Sequence, residues 1–178
     1  MVRAFVAIEL SGDIRERLFE AQECLRSCGA HLTFVRQDYI HVTMKFLGEV
    51  EDKDLPKVVG ALKTVSFAPF TVNAATVTVD NSKRPHTVWC TIDDSGGCNN
   101  LFRCIEDVLE PIGFARETRR FTPHATVARV RRPDQSLFTA LDKLASRTYG
   151  SCIIAGFRLK KSTLTPQGPI YEDLLEVP

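Results

Sequence analysis

His41-Val42-Thr43-Met44-Lys45-Phe46 decides the reading of this chain, because it returns as His124-Ala125-Thr126-Val127-Ala128-Arg129. Each copy is a histidine, a spacer, a threonine and an apolar residue, with a cation within five positions of the histidine. Such alternation reads as a β-strand, in which His and Thr project from one face and the residues between them from the other. The copies lie 83 positions apart in a chain of 178 residues. Spacing near half the length points to two similar halves, each delivering one His and one Thr to a shared cleft. A lone His-x-Thr on a strand is commonplace. Two copies so arranged are hard to obtain by chance, which makes His41, Thr43, His124 and Thr126 the candidate site.

Outward from the motifs, strands bracket single helices in both halves. Arg3 to Glu9 (RAFVAIE) is an apolar strand, and Ser11 or Asp13 can cap a helix running to about Ser27, with Ile14, Leu18, Ala21 and Leu25 on its apolar side. Leu32 to Val35 is a short strand, and the first motif strand, Ile40 to Leu47, ends at Gly48. Asp52 can cap a second helix with Pro56 in its first turn. Phe70 to Asp80 and Thr87 to Asp93 form a hairpin about the turn Asn81–Pro85, and Asn99 to Leu109 is a third helix. The second motif strand, His124 to Val130, is followed by Pro133 and by a helix capped by Asp134 and running to about Ser146. Ser151 to Leu164 reads as one long strand, before a tail with Pro166, Gly168 and Pro169 and a short apolar run. The fold class expected is α+β, antiparallel sheets covered by helices on their outer faces.

Composition sets few limits. With 44% hydrophobic residues the chain can bury a core, and its length suits one domain, residues 1–178, or two small lobes sharing an interface. A net charge of +1 points to no partner, but Ala115 to Arg132 holds six arginines against one acid, Glu117, and contains the second motif. That overlap favours phosphate over a merely solvated basic face. Cysteines 24, 28, 90, 98, 104 and 152 lack the context of a short secreted scaffold, so they are read as reduced packing residues of a cytoplasmic protein. No apolar run is long enough to cross a bilayer.

Two histidines on one cleft suit proton transfer on both sides of a phosphorus centre, one neutral ring taking a proton while the other, charged, gives one. Threonine hydroxyls and a guanidinium can meet the phosphoryl oxygens. No carboxylate cluster suits a metal, so the expected chemistry needs none. Arg129 lies at odd offset from His124, and on a flat strand it would face away; only a bulge, a twist or a strand end could bring it round. Lys45 is assigned to packing or solvent, His31 and His86 to surface or turn positions, and Trp89 and Phe46 either to the core or to stacking on a base.

With both motifs in hand, HVTMKFLGEV and PHATVAR resemble the 2H phosphoesterase superfamily, and within it the RNA 2′,3′-cyclic phosphodiesterases, historically called 2′-5′ RNA ligases. RAFVAIEL, the Trp89 strand and LTPQGPIYEDLLEV are similar to that group as well, so the likeness spans nearly the whole chain. The resemblance implies a bilobal fold with pseudo-two-fold symmetry, two interleaved lobes about a central groove. It implies hydrolysis of an RNA-terminal 2′,3′-cyclic phosphate to a 2′-phosphomonoester without metal or nucleotide cofactor, with weak reverse ligation through a 2′-5′ bond. His41 would be the general acid and His124 the general base, labels that could be exchanged, while Thr43, Thr126 and Arg129 hold phosphate oxygens. The partner implied is RNA with a cyclic phosphate end, tRNA fragments among the candidates; no membrane is involved and a monomer is expected. Two other readings stand beside this one: a nucleotide-binding module, and the same chemistry on small cyclic nucleotides or 2′-5′ oligoadenylates.

Overall fold

The computed structural model describes residues 1–178. Its strands are β1 (Val2–Glu9), β2 (His31–Phe34), β3 (His41–Val50), β4 (Phe70–Val79), β5 (Thr87–Asp93), β6 (His124–Arg132), β7 (Gly150–Ile154), β8 (Phe157–Thr165) and β9 (Gly168–Val177). The helices are α1 (Gly12–Arg26), α2 (Leu55–Leu62), α3 (Gly97–Leu109) and α4 (Ser136–Leu144). All pairings are antiparallel, in the order β7-β4-β5-β6-β3-β1-β8-β9, and β2 lies against β6 as well.

The order is symmetric about the β6–β3 junction. One lobe reads outward β3-β1-β8-β9, the other β6-β5-β4-β7, and the motif strands are the innermost pair. The lobes are interleaved, since the C-terminal hairpin β8–β9 returns to the lobe that begins with β1. At the junction Val42 pairs with Ala125. Continuing that antiparallel register by one residue in each direction sets His41 opposite Thr126 and Thr43 opposite His124.

Val42, Met44, Ala125 and Val127 enter one core with Ile14, Leu18 and Leu25 of α1, Leu101 and Ile105 of α3, and Leu137 of α4. That burial puts the helices on one side of the central strands and leaves His41, Thr43, His124 and Thr126 half-buried on the other. The α1 start follows its sequence signal: the Ser11 hydroxyl accepts from the Ile14 amide at 3.4 Å.

Several expected boundaries move. Ser151 to Leu164 is two strands, broken at Ala155-Gly156, and they sit at opposite ends of the sheet: β7 pairs with β4, β8 with β1. The tail forms β9, paired with β8 along its whole length. β3 runs through Gly48, whose φ of +71° lets the chain pass a bulge at Leu47 without ending the strand. The residues at the caps of α2 and α4 are Asp54 and Gln135, and neither side chain accepts from a helix amide, but the expected Asp134 still serves α4, its carboxylate accepting from the Ser136 amide at 2.9 Å. His31 opens β2 and is exposed, and His86 lies in the exposed turn before β5.

Candidate active site

Two bulges shape the site. Along β1, Val6 pairs with Lys45 and Ala7 with Thr43, so Met44 is an extra residue in β3. Along β5, Val88 pairs with Ala128 and Trp89 with Thr126, so Val127 is the matching extra residue in β6. Each bulge turns two consecutive side chains inward, Met44 with Lys45 and Val127 with Ala128, and reverses parity beyond them. Arg129 therefore returns to the face of His124 and Thr126, which resolves the odd offset. Phe46, five residues after His41, takes the corresponding place in the first motif and is 70% exposed.

The same bulge disposes of Lys45. Four residues from His41 on an unbroken strand, it would share the histidine's face; instead it is buried behind the sheet, where its ammonium pairs with Glu106 and donates to the Ala115 carbonyl at 2.8 Å. Arg116 also leaves the phosphate-binding set: it pairs with Asp107 and Glu110 on the outer surface.

His41, Thr43, Thr126 and Arg129 line a cleft of about 510 Å³. His124 continues the β6 face two residues beyond Thr126. Its Nδ1 lies 2.7 Å from the Thr122 carbonyl, an acceptor only, so Nδ1 carries the proton and Nε2 is left to act. Arg129 donates to the Thr87 hydroxyl at 2.9 Å, and that hydroxyl fixes where the guanidinium fork points. Thr87 is in turn held in place by its amide, which donates to Asp80 at 3.0 Å.

Aromatic rings back both imidazoles. Phe5 stacks on His41 at 5.1 Å, with Tyr171 edge-on at 5.7 Å; Trp89 lies 4.2 Å from the His124 ring. Trp89 is thus a wall of the site, while Phe46 presents its ring to the cleft. This packing strips water from both rings and disfavours their charged forms. Burial lowers the His41 pKa to about 4; Glu9 opposes the shift and Lys160 adds to it. Burial also lowers His124, with the Thr122 carbonyl opposing and the Arg129 charge adding. Burial in the free protein therefore works against the charged form of both rings. For His41 to donate, the order carried by the resemblance, an incoming phosphate anion must restore its basicity.

Beyond the reacting face the cleft continues over β2 and the β8–β9 turn, lined by Arg3, Arg36, Arg131, Tyr39 and Gln167. Alternation within the two motifs marks none of these, nor Phe5, Thr87 and Tyr171, because Arg131 lies past the β6 bulge and the others sit on neighbouring strands or in the segments between strands. The six cysteines are free thiols, and no three His, Cys, Asp or Glu side chains group as a metal set. No helix is long and apolar enough to cross a membrane.

Comparison with known proteins agrees with this fold. The model of the LigT-like phosphoesterase family matches residues 8–90 and 92–171. An RNA 2′,3′-cyclic phosphodiesterase of Archaeoglobus fulgidus is 33% identical over 174 residues, covering 97% of this chain and 98% of the relative. One from Methanothermobacter thermautotrophicus is 30% identical, with 97% and 96% covered. Among solved structures, TT0787 of Thermus thermophilus has the same fold at a TM-score of 0.81 and 24% identity, covering 98% of this chain and 96% of its own. Escherichia coli LigT complexed with 3′-AMP gives 0.79 at 21% identity and the same coverage. Two motif copies on the innermost strands of a symmetric sheet, with a family match running nearly end to end, place this chain in the LigT-like phosphoesterase family.

Proposed function

We propose that this protein hydrolyses 2′,3′-cyclic phosphate at RNA ends to a 2′-phosphomonoester, and that His41 and His124 carry the proton transfers. The observation that carries the reading is the convergence of both histidines, both motif threonines and Arg129 on one face at the junction of two pseudo-symmetric strands. Relatives named RNA 2′,3′-cyclic phosphodiesterase, alike over nearly the full length, support the substrate class.

In the reaction, a neutral imidazole takes a proton from water as the water oxygen bonds to phosphorus. The P–O3′ bond breaks, the second imidazole, protonated, delivers its proton to O3′, and phosphate remains on O2′. Thr43, Thr126 and Arg129 donate to the non-bridging oxygens, whose charge grows in the pentavalent transition state. Each proton-transfer role is worth about 10² to 10⁴ in rate. The reverse path, a 5′-hydroxyl attacking the cyclic phosphate, would leave a 2′-5′ bond. The cleft beyond the reacting face favours RNA over free nucleotides, since Arg3, Arg36 and Arg131 supply cations for upstream phosphates and Phe46 an exposed ring for a base.

The test is an assay in EDTA of a short RNA ending in 2′,3′-cyclic phosphate beside free nucleoside cyclic phosphates, with the product's phosphate located by ³¹P NMR. Opening to the 2′-phosphate, with higher kcat/KM on the RNA, is expected. His41→Ala and His124→Ala should each lower the rate by about 10² or more. No turnover would remove the activity, equal turnover of free nucleotides would remove the preference for RNA, and a near-native rate in either variant would remove the two-histidine assignment.

A further inference from the structure

Behind the site, two buried polar side chains occupy corresponding positions in the two halves. Gln22 in α1 and Glu106 in α3 lie 84 residues apart, one more than the motif spacing. Gln22 is fully buried and Glu106 is 3% exposed. A buried amide or carboxylate in a helix facing a sheet costs stability unless it is bonded, so what each one bonds matters.

Gln22 Nε2 donates to the Val35 carbonyl at 2.7 Å and to the Val127 carbonyl at 3.1 Å. Val35 belongs to the segment leading into His41, and Val127 is the bulge residue of the other motif. Glu106 mirrors this: one carboxylate oxygen accepts from the Glu117 amide at 3.0 Å, in the segment leading into His124, and the other accepts from Lys45, beside the bulge of the first motif. Each helix thus joins the approach to its own histidine to the bulge of the opposite motif. The ties join the two sequence halves, and the bulges they hold are what bring Arg129 and Phe46 into the cleft.

We propose that Gln22 and the Lys45–Glu106 pair are positioning residues: Gln22 holds the β6 bulge that aims Arg129 at the phosphate, and Lys45–Glu106 holds the β3 bulge that presents Phe46 to the substrate. The proposal rests on the hydrolytic reading for its kinetic consequences. The two ties have different consequences because Arg129 serves the transition state and Phe46 serves binding. Displacement of a reacting group by about 1 Å can cost on the order of 10² in rate.

The experiment compares Gln22→Met, which keeps volume and loses the donor, with the double variant Lys45→Met/Glu106→Met, which leaves no unpaired buried charge. Both are assayed on the cyclic-phosphate RNA at a temperature where circular dichroism shows them folded. Gln22→Met should lose about tenfold to a hundredfold in kcat with KM within threefold; the double variant should raise KM about tenfold or more with kcat within threefold. A parallel ¹⁵N spectrum follows the Arg129 Nε–H signal, expected to shift and broaden in Gln22→Met alone. Unchanged kinetics, equal losses in both variants, or failure of both to fold would overturn the proposal. If the native protein shows no turnover, the hydrolytic reading falls, and an unchanged Arg129 signal in Gln22→Met overturns the tie by itself.

Discussion

At Arg129 the guanidinium has one protein hydroxyl to point it, Thr87, and no carboxylate competes for its charge. Thr87→Val keeps the shape and removes that acceptor, so kcat/KM on the RNA substrate should fall about tenfold while the melting temperature stays near native; an unchanged kcat/KM would show that the fork needs no guide. The histidines make a prediction with a definite sign. His41 is lowered to about 4 from an unperturbed 6.5, so the unfolded chain binds a proton there that the native one refuses. Stability from this group is complete above about 6.5 and falls as pH drops from 6.5 towards 4, by on the order of 3 kcal/mol at about 1.36 kcal/mol per unit. Urea midpoints across that window should show the slope, and His41→Gln should flatten it. Because burial lowers both rings, the kcat/KM profile should peak below 6.5, and a maximum above 7 would contradict that. His41, Thr43, His124 and Thr126 were legible in the sequence because alternation of period two is a local property. Arg129 and Phe46 were not legible from the residues alone: one inserted residue reverses parity, and nothing in Met44 or Val127 announces the insertion.

Among the elements, the step between β7 and β8 separates what short-range pattern shows from what it hides. Residues 151–164 read as one β-prone run with a polar end, and the two-residue break at Ala155-Gly156 carries only one glycine as a signal. Their partners, β4 and β1, are distant in sequence, so local pattern cannot assign the two pieces to opposite sheet ends. Gly156 is required for space: a Cβ there would sit 2.5 Å from the Val177 carbonyl oxygen, a backbone atom held in the β8–β9 ladder. Gly156→Ala should therefore cost about 1 to 3 kcal/mol and lower the melting temperature by several degrees. Gly60→Ala is the control. That glycine lies in α2 with nothing within 4 Å of the place a methyl group would take, so alanine should gain about 0.5 to 1 kcal/mol from helix propensity. Equal effects at the two sites would show that the close approach of β9 does not constrain the turn.

For the molecule as a whole, the pseudo-symmetry raises the question of whether the lobes unfold separately. Their direct strand pairing at the centre is slight, with Val42 and Ala125 as the paired residues of β3 and β6. Three other features join them. The apolar core is a single cluster that takes in strands of both lobes and the helices behind them. The chain crosses from one lobe to the other after β3 and again between β7 and β8, so the β3 lobe is completed only by the C-terminal hairpin, and β2, which precedes β3, pairs with β6 of the other lobe. The Gln22 and Lys45–Glu106 contacts add polar links between the two halves of the sequence. A core shared in this way makes opening one lobe expose the apolar face of the other, which favours all-or-none unfolding. Trp89, the only tryptophan, reports the β6 lobe, and the methyl NMR signals of Ile8 and Leu159 report the β3 lobe. Both probes should give the same urea midpoint and slope, because one transition exposes both cores. Midpoints that separate would show that each lobe keeps its own stability, and the cleft between them would then be a junction of two domains.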